Sequence, residues 1–387
     1  MRTVLVDLTA WQTPHRLRGI GRFVRDLAAG LGAVGAGRDG PVRALGLTRI
    51  DALGRPTIID DLSALRDLVA DDALEANDAR VLWGRRVHLS RIARHVGAFA
   101  VHLPDPMGTP VGSIARIVTC HDLIPLRFAD RYLGWKDGFA PFRRARELRR
   151  FGGAAHVIAI SDETRRDLVT LLDVDPARIS VVHNGIDLTR WSAEPGPDDA
   201  AVAARHGLAP HGYLLYVGGL EWRKNAEGML SAIAAVRDVP LVLAWAGKLT
   251  DSEVATLRAA AERLGVGDRL RLLGFVDDTD LAALHRCALA HVLVSFAEGF
   301  GLTLVEAMAC GAPVIATAGS SLAEVAGDAA LLVDPADPQA IAAAARRLAG
   351  DRGLRVDLRT RGVERAQRFS HLAFARRTLE AYARAQP

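Results

Sequence analysis

Two carboxylates flank a glycine-bearing turn in the second half of the chain. Glu298 is followed by Gly299-Phe300-Gly301, and Glu306 is the only charged residue in the apolar stretch after that turn. The two glycines let the backbone approach a ligand closely, and amide groups at the start of a following helix favour anions. A carboxylate among apolar neighbours is costly unless it accepts hydrogen bonds, which sugar hydroxyls would supply. The alternative, in which Glu306 is an exposed or N–H-bonded helix residue and Glu298 is a loop carboxylate, stays open from this stretch alone.

A second cluster joins glycines to cations. The predicted strand Tyr213–Val217 leads into Gly218-Gly219 and then into Arg223-Lys224. Backbone N–H groups and two fixed positive charges would form a cradle for a pyrophosphate. The alternative is a solvated pair of cations at a helix start, an arrangement that the helix dipole mildly disfavours. The cluster therefore favours an anionic ligand.

Three weaker signals follow other predicted strands. His121 could donate a hydrogen bond to a ligand and Asp122 could orient its ring, whereas a core histidine bonded to the backbone is the alternative. Gly19 and Gly21 open the first predicted helix as a degenerate form of the dinucleotide fingerprint. The segment 183–187, which contains Asn-Gly, is interpreted as a tight turn.

Short aliphatic runs alternate along the chain with longer stretches of helical spacing. Most of these runs are apolar throughout, as expected for strands buried on both faces of a parallel sheet. The predicted strands are Thr3–Val6, Ala98–His102, Ile117–Cys120, His156–Ile160, Ser180–His183, Tyr213–Val217, Leu241–Trp245, Leu270–Leu273, His291–Val294 and Pro313–Ala316. The alternation predicts an α/β fold of open sheets covered by helices on both faces. Ligands bind at the carboxyl ends of the strands in such folds, where the clusters described above stand.

A stretch of linker-like composition predicts a division into two α/β halves. Residues 191–210 contain two prolines, a glycine and three acids between 192 and 199, followed by a further proline. We therefore expect a first domain over 1–195 and a second over 206–369. The helical pattern at 370–387 is expected to pack back on the first domain, although spacing alone does not decide this.

Composition limits the classes of protein that the chain can belong to. Half of the 387 residues are hydrophobic and 24% are charged, which excludes a disordered chain. A net charge of +4 suits anionic ligands without requiring nucleic acid. Three widely separated cysteines argue against a disulfide framework or a zinc site and for a reducing compartment. The apolar run before Asp7 is too short for a signal peptide, and no run reaches the ~18 apolar residues of a membrane span, so we expect a cytoplasmic protein.

Taken together, these clusters resemble the family 4 retaining glycosyltransferases. That family has the GT-B fold, in which two Rossmann-like domains with parallel sheets face each other across a cleft. The resemblance covers nearly the whole chain, and its most specific part is the E-x7-E signature formed by Glu298 and Glu306. The supporting motifs are Gly19-Ile-Gly21-Arg-Phe, His121-Asp-Leu-Ile-Pro-Leu, Asn184-Gly-Ile-Asp187, Val217-Gly-Gly-Leu-Glu-Trp-Arg-Lys-Asn225 and the segment 321–335. Gly19-Ile-Gly21-Arg and Leu220-Glu-Trp-Arg-Lys-Asn225 look most like the mannosyltransferase-B-like branch of bacterial polysaccharide enzymes.

The resemblance implies roles for the matching residues. The implied catalytic set is His121, near the reacting carbon, Arg223 and Lys224, on the diphosphate, and Glu298, on the sugar hydroxyls. Glu306 would bind the ribose. The implied donor-binding residues are Gly19, Gly21, Gly218, Gly219, Val276, Gly299, Phe300, Gly301, Leu302, Thr303 and Glu306, with Val276 meeting the base through its backbone.

The sequence departs from the family pattern at three positions. Gly219 stands where many members have the phosphate-binding arginine, so Arg223 would substitute for it. Thr303 and Val294 replace prolines, and both changes look conservative. The implied reaction is a retaining, front-face displacement in which fixed cations stabilise the leaving diphosphate and the leaving phosphate serves as base. The resemblance implies no metal and no cofactor, and no Asp-x-Asp motif argues otherwise.

The donor and acceptor follow less directly. The branch favours mannose from GDP-mannose, transferred to a glycan, lipid-linked or small-molecule acceptor, with no nucleic-acid partner. Residues 127–150 mix aromatics with a dense basic run, which predicts peripheral contact with the inner membrane face. A solvated basic helix beside the acceptor cleft is the alternative. A nicotinamide-dependent oxidoreductase, a non-catalytic nucleotide-sugar-binding protein and a GT-B epimerase remain the competing functions, the first of which leaves both glutamates unexplained.

Overall fold

The chain forms two compact α/β units in a computed structural model. The structure describes residues 2–12, 19–35, 41–50, 55–66, 79–105, 113–132 and 140–385. One unit comprises Met1–Gly185 together with Ser370–Pro387, and the other comprises Ile186–Phe369. Among the helices of these described residues, none is long and apolar enough to cross a membrane.

The helices and strands alternate along most of the chain. The strands are β1 (Arg2–Asp7), β2 (Val42–Ile50), β3 (Pro56–Ile59), β4 (Ala98–Leu103), β5 (Ala115–Cys120), β6 (His156–Ala159), β7 (Ile179–Val181), β8 (Tyr213–Val217), β9 (Val242–Ala246), β10 (Leu270–Gly274), β11 (Ala290–Leu293), β12 (Val314–Thr317) and β13 (Leu331–Val333). The helices are α1 (Gly19–Ala33), α2 (Ala79–His95), α3 (Ile124–Arg127), α4 (Ala129–Tyr132), α5 (Ala140–Glu147), α6 (Asp162–Leu172), α7 (Asp199–Arg205), α8 (Ala226–Ala235), α9 (Asp251–Arg263), α10 (Asp278–Cys287), α11 (Leu302–Ala309), α12 (Ser321–Ala326), α13 (Pro338–Gly350), α14 (Arg352–Gln367) and α15 (His371–Arg384).

The first unit is built on a sheet of order β3-β2-β1-β4-β5-β6-β7. Its neighbouring strands are parallel except for β3, which pairs antiparallel with β2 at the edge. Residues such as Leu5, Val101 and Val118 are fully buried, which agrees with strands covered on both faces. Helix α15 packs against α1, so the end of the chain belongs to this unit.

A buried polar chain fastens α15 to the sheet of the first unit. Nδ1 of His102 is 2.6 Å from the hydroxyl of Tyr382, and Nε2 is 2.8 Å from Oγ1 of Thr119. Burial, with a smaller contribution from the charge of His121, lowers the pKa of His102 to about 3. The ring is therefore neutral at physiological pH, and its two nitrogens are satisfied by the two hydroxyls.

We predict that acid destabilises the first unit through His102. The folded-state pKa of about 3 lies below the value of 6.5 for an unperturbed histidine. The unfolded chain therefore binds the extra proton first, so this contribution to stability is intact above pH 6.5 and is lost as the pH falls towards 3. The expected loss between pH 7 and pH 5 is roughly 2 kcal/mol for this group. Urea unfolding at both pH values measures it, and His102→Gln should show a smaller difference between them. An equal difference in both proteins would contradict the assignment.

The second unit has a parallel sheet of order β10-β9-β8-β11-β12-β13. Numbered within the unit, this is the order 3-2-1-4-5-6 of the doubly wound nucleotide-binding fold. The direction of strand succession reverses between β8 and β11, where Leu215 pairs with Ala244 on one side and His291 on the other. Ligand sites of such sheets lie outside the carboxyl ends of the two strands at this switch point.

The ten strands predicted from the sequence are confirmed, with ends that differ by no more than two residues. Three strands were not predicted. In β2 the apolar run is interrupted by Arg43, Gly46 and Arg49, and β3 is a partly exposed edge strand that starts at a proline. Strand β13 has three residues and is too short for its pattern to stand out.

The boundary between the two units lies before residues 191–210, the stretch in which the sequence predicted it. The units divide between Gly185 and Ile186, and the stretch that follows packs on the second unit. Trp191 is only 1% exposed, and the Arg286 guanidinium lies 2.7 Å from Asp199 at the start of α7. Buried aromatic surface and a paired carboxylate therefore hold a segment whose prolines and acids are typical of a free linker.

Candidate active site

The two most informative clusters meet at the switch point of the second unit. Strand β8 ends at Val217 and runs into the glycines and cations of 218–224, and β11 ends at Leu293 just before the segment 295–301. Because β8 and β11 are neighbours, the loops at their carboxyl ends lie side by side. The fold of this unit thus brings together residues separated by about seventy positions in the chain.

An ionic cluster joins the two loops. Nη1 of Arg223 lies 2.7 Å from Oε2 of Glu298, and Nζ of Lys224 lies 2.6 Å from Oε1. Ser295 donates a further hydrogen bond of 2.8 Å to Oε1. The side chain of Glu298 is only 10% exposed, and those of Arg223 and Lys224 are scarcely more so. This Arg223–Lys224–Glu298 cluster is a largely desolvated, hydrogen-bonded set of charges.

The cluster keeps its charges at neutral pH. Burial alone would raise the pKa of Glu298, but Lys224 and Arg223 outweigh that effect, so the pKa lies below its usual value. Burial likewise opposes the charge of Arg223, yet Glu298 and the partly exposed Glu221 raise its pKa. Arg223, Lys224 and Glu298 together carry one net positive charge, which the partly exposed Glu221 balances in this structure.

Main-chain contacts fix where the cations stand. The carbonyl of Arg223 accepts a 2.7 Å bond from the amide of Phe296, and Nη1 of Arg223 donates to the carbonyl of Ala297 at 3.1 Å. Ser321 donates a 2.6 Å bond to the carbonyl of Glu298. The loop after β8 is therefore tied to the loop after β11 at both backbone and side chain, which pre-organises the charges.

Asn225 is a positioning residue that the sequence analysis named only within a motif. Its φ of 58° is left-handed, a conformation that asparagine tolerates better than most residues. Its amide donates to the carbonyls of Val294 at 3.0 Å and Pro335 at 2.7 Å, and its Oδ1 accepts from Gly228 at the start of α8. It directly follows Lys224 and so joins the cations to three other segments.

We predict that Asn225→Ala lowers the stability of the second unit by about 2–4 kcal/mol. The change removes an N-cap, leaves one buried and one partly buried carbonyl without their donor, and places a Cβ-bearing residue without a polar side chain at positive φ. Thermal unfolding measures the effect as a lower melting temperature. Asn225→Gly keeps the backbone conformation and should recover part of the loss. Equal melting temperatures for the wild type and Asn225→Ala would contradict this role.

The glycine pair after β8 is held by two buried aromatic residues that the sequence analysis missed. The indole of Trp245 donates to the carbonyl of Gly218 at 3.0 Å, and the hydroxyl of Tyr216 donates to that of Gly219 at 3.2 Å. The two rings pack with their centroids 4.2 Å apart. A Cβ at Gly247 would lie 2.2 Å from the carbonyl oxygen of Gly218, so this close approach requires glycine. Aromatic residues near the ends of two predicted strands were the available signal.

The turn from 299 to 303 has the geometry of an anion-facing helix start. Gly301 has a φ of 94° and precedes α11, for which it supplies no side-chain cap. Leu302 and Thr303 are the first two residues of α11, where backbone amides have no partner within the helix. Phe300 is buried and packs edge-on against Phe369, so only its backbone could serve a ligand.

Glu306 lies on α11 and is 2% exposed. Of the two forms of the alternative, the structure excludes an exposed helix carboxylate, not one that accepts bonds from N–H groups. Val276 follows the end of β10 and is also buried, and its neighbour Phe275 is 70% exposed. Sequence reasoning had no means of separating an exposed Phe275 from the core phenylalanines.

The structure places the remaining predicted residues in the first unit. His121 follows β5, and its Nε2 donates a 2.7 Å bond to the carbonyl of Pro104 while its ring meets Phe23 edge-on. Burial lowers its pKa, so the ring is neutral with its proton on Nε2. The prediction that the ring donates to a ligand is corrected accordingly, because Nδ1 is then only an acceptor. Gly19 and Gly21 lie in the first turn of α1.

The basic segment 127–150 is described except for residues 133–139, which lie outside the described part of the chain. Several of its arginines are paired within the unit. Arg127 binds Glu163, and Arg150 lies 2.7 Å from Glu147. Arg144 lies 3.6 Å from Asp173. Local carboxylates therefore neutralise part of the charge on which the membrane prediction rests.

Two family models match the chain. The model for the group 1 glycosyl transferases matches residues 205–366, and the model for glycosyltransferase family 4 matches residues 17–190. Together they extend over most of both units.

Individual relatives are also glycosyltransferases. The O-antigen chain mannosyltransferase B of Escherichia coli is 34% identical over 58% of this chain and 60% of its own length. The D-inositol 3-phosphate glycosyltransferase 2 of Catenulispora acidiphila is 36% identical over 60% of this chain and 56% of its own. The serotype-specific mannosyltransferase WbdA of Escherichia coli is 26% identical over 98% of this chain and 48% of its own. The chain thus spans about half to three fifths of the length of the curated relatives it matches.

Solved structures share the fold at low sequence identity. The sucrose-phosphate synthase of Thermosynechococcus elongatus superposes with a TM-score of 0.73 and 21% identity, over 99% of this chain and 98% of its own. The Anabaena protein HepE in complex with UDP-glucose gives a TM-score of 0.72 and 17% identity, over 99% and 100%.

Proposed function

The chain belongs to the family 4 glycosyltransferases of GT-B fold, and we propose that it transfers a hexose from a nucleotide-diphosphate sugar to a hydroxyl acceptor. The observation that carries this proposal is the Arg223–Lys224–Glu298 cluster at the switch point of the second unit. Cleavage of a sugar–phosphate bond builds negative charge on the leaving diphosphate, and two pre-organised cations in a largely dry site stabilise that charge best.

In this proposal, different residues bind the two ends of the donor. Arg223 and Lys224 hold the diphosphate, and the partly exposed Glu221 is the partner that a phosphate would displace from Arg223. The first amides of α11 and the amide of Gly219 add neutral donors, since the amide of Gly218 already donates to the carbonyl of Ala246. Glu306 takes the ribose hydroxyls, and Val276 meets the base through its backbone.

Glu298 has two tasks in this proposal. Its oxygens hold both cations in place, and they accept about four hydrogen bonds in all, of which Arg223, Lys224 and Ser295 already supply three. The remaining capacity suits a single sugar hydroxyl. The carboxylate therefore links the orientation of the sugar to the position of the charges that stabilise its leaving group.

We further propose that transfer retains the anomeric configuration by front-face displacement. The leaving phosphate oxygen accepts the proton of the acceptor hydroxyl as the new glycosidic bond forms on the same face. Arg223 and Lys224 stabilise the diphosphate as it departs. Neutral His121 accepts a hydrogen bond at Nδ1 from a substrate hydroxyl, since Nε2 is occupied by Pro104.

We propose that the donor is GDP-mannose and that the transferred sugar is mannose. The support is that two of the similar proteins are named mannosyltransferases.

The acceptor that we propose is a lipid-linked glycan, reached through peripheral contact of residues 127–150 with the inner membrane face. Sedimentation with anionic vesicles at low and high salt tests this contact, and the absence of salt-sensitive binding would favour a soluble acceptor.

A thermal-shift panel tests the proposed donor. GDP, UDP, ADP and dTDP are compared at equal concentration with and without their sugars, because a ligand that binds only the folded state raises the melting temperature. GDP and GDP-mannose are expected to give the largest rise. A larger rise with another nucleotide would replace the base while keeping the transferase proposal. No rise with any nucleotide diphosphate would overturn it.

A further inference from the structure

The first unit has a basic cavity at the edge of its sheet opposite to His121. Its volume is about 620 Å³. It is formed where β4 to β7 begin, whereas His121 follows the end of β5. Since β5 has six residues at about 3.3 Å each, the two places lie on the order of 15–20 Å apart along the strand. The residues that give the cavity its character are Phe99, Ile114, Arg116, His156, Arg178 and Arg384.

Three guanidinium groups line this cavity, and no carboxylate side chain lines it. Arg116 donates to the carbonyl of Gly153 at 2.7 Å, and Arg178 donates to that of Gly152 at 3.0 Å. Neither these two nor Arg384 forms an ion pair with any carboxylate in the described part of the chain. In contrast, many other arginines of the chain do pair with carboxylates.

Part of the Arg116 side chain is buried without a partner. Its Nη1 is shielded from solvent and has no hydrogen bond among the described residues. Burial lowers the pKa of Arg116, which means that its charge is poorly solvated where it stands. A buried donor on a cation without an acceptor is costly, and an anion in the cavity would supply both the acceptor and the opposite charge.

The charges of two of these arginines also affect the pKa of His156, which lines the same cavity. His156 begins β6 and its Nε2 lies 2.8 Å from Oγ of Ser180. Burial, with smaller contributions from the charges of Arg384 and Arg178, lowers its pKa to about 4. The cavity therefore has a positive potential that its own residues leave unbalanced.

We propose that this cavity is a second binding site, specific for a ligand that bears a phosphate or diphosphate group. Arg116, Arg178 and Arg384 bind the phosphate oxygens, and Phe99 and Ile114 contact an organic part of the ligand. Three arginines suit phosphate because each guanidinium presents a planar fork of donors. The volume lies within the range of small-molecule sites, so the ligand can be larger than inorganic phosphate.

The site is independent of the proposed transferase function, because none of its residues belongs to the donor-binding set. The phosphate group could come from a soluble metabolite or from a lipid headgroup. The chemistry recognised is the same in both cases, so the experiment has one arm for each source.

The imidazole NMR signal of His156 reports ligand binding in this cavity specifically. We would follow the imidazole NMR signals of histidine-labelled full-length protein during titration with inorganic pyrophosphate, and assign His156 by the loss of its signal in His156→Gln. The expected result is a saturable shift of the His156 signal. Arg384→Glu should weaken the apparent affinity about tenfold or more. The side chain of Arg384 makes no hydrogen bond or ion pair with the described residues, so this exchange leaves the fold in place.

Arg376→Glu is the matched control. It lies on the same helix, is exposed, and changes the net charge by the same amount. In the second arm, wild type, Arg384→Glu and Arg376→Glu are each sedimented with phosphatidylcholine vesicles, with and without phosphatidic acid. Pyrophosphate binding without vesicle binding identifies a soluble ligand, and vesicle binding that Arg384→Glu alone abolishes identifies a lipid headgroup. If no shift saturates and no vesicle binding depends on Arg384, or if both variants behave alike, the proposal is overturned.

Discussion

Replacing Arg223 or Lys224 with glutamine should lower kcat for sugar transfer by about 10²-fold or more. The diphosphate gains negative charge only as the glycosidic bond breaks, so a cation beside it acts mainly in the transition state. Removal of one such electrostatic donor costs about 10²–10³-fold in other enzymes. The effect should appear in kcat and more strongly in kcat/KM, because the cations also hold the diphosphate of the bound donor. Steady-state assays of nucleoside-diphosphate release measure both constants.

Loss of one cation also leaves Glu298 buried with a single charged partner, which can destabilise the unit. The melting temperature of each variant without ligand measures that instability separately from lost catalysis. Arg346→Gln is the control, since Arg346 pairs with Asp238 at an exposed place in the same unit. Near-normal kcat in a folded Arg223→Gln/Lys224→Gln variant would contradict the role of both cations.

Glu306→Gln should raise the Kd for the nucleoside diphosphate about tenfold or more. The carboxylate is almost completely buried on α11, and the exchange preserves its shape while it removes the charge that strengthens hydrogen bonds from ribose hydroxyls. Isothermal titration calorimetry with wild type and variant measures the change. Because the shape is kept, the melting temperature without ligand should change little.

A nucleotide without ribose hydroxyls separates recognition from a structural role for Glu306. The 2′,3′-dideoxynucleoside diphosphate cannot donate to the carboxylate, so wild type and Glu306→Gln should bind it with similar affinity. A variant that weakens both nucleotides equally acts through the structure of α11 instead. Unchanged affinity for the ordinary nucleoside diphosphate would remove Glu306 from the ribose site.

The sequence located the two loops of the site because the position of a motif after a strand is a local signal. The clusters at 218–224 and 298–306 each follow a run of apolar residues, and the ends of parallel strands lie at one edge of a sheet. What brings them side by side is the adjacency of β8 and β11, which no local pattern encodes. The resemblance to a known family supplied that expectation.

The partners of the site residues could not be predicted in the same way. The bonds from Tyr216 and Trp245 to the glycine carbonyls depend on side-chain directions in two neighbouring strands. The proton position on His121 depends on the carbonyl of Pro104, a residue from another strand end. In residues 191–199 a local pattern gave a different result from the packing, because their composition predicts a linker while Trp191 is buried in the second unit.

The cavity with Arg116, Arg178 and Arg384 could not be predicted from the sequence for a related reason. Its arginines come from three separate elements and are scattered in a chain in which arginine is abundant. Only the structure distinguishes arginines that pair with carboxylates from those that do not.

The central claim is that Arg223 and Lys224 hold the β-phosphate of a nucleotide donor. The most direct test compares the affinities of GDP and GMP for wild type and for Arg223→Gln/Lys224→Gln by calorimetry, with UDP and UMP as a parallel pair. The two nucleotides of a pair differ only in the phosphate that the cations would meet. Wild type should prefer the diphosphate by about 10²-fold, from two charge-assisted hydrogen bonds, and the variant should lose most of that preference. A folded variant that keeps the full preference for the diphosphate would contradict the account.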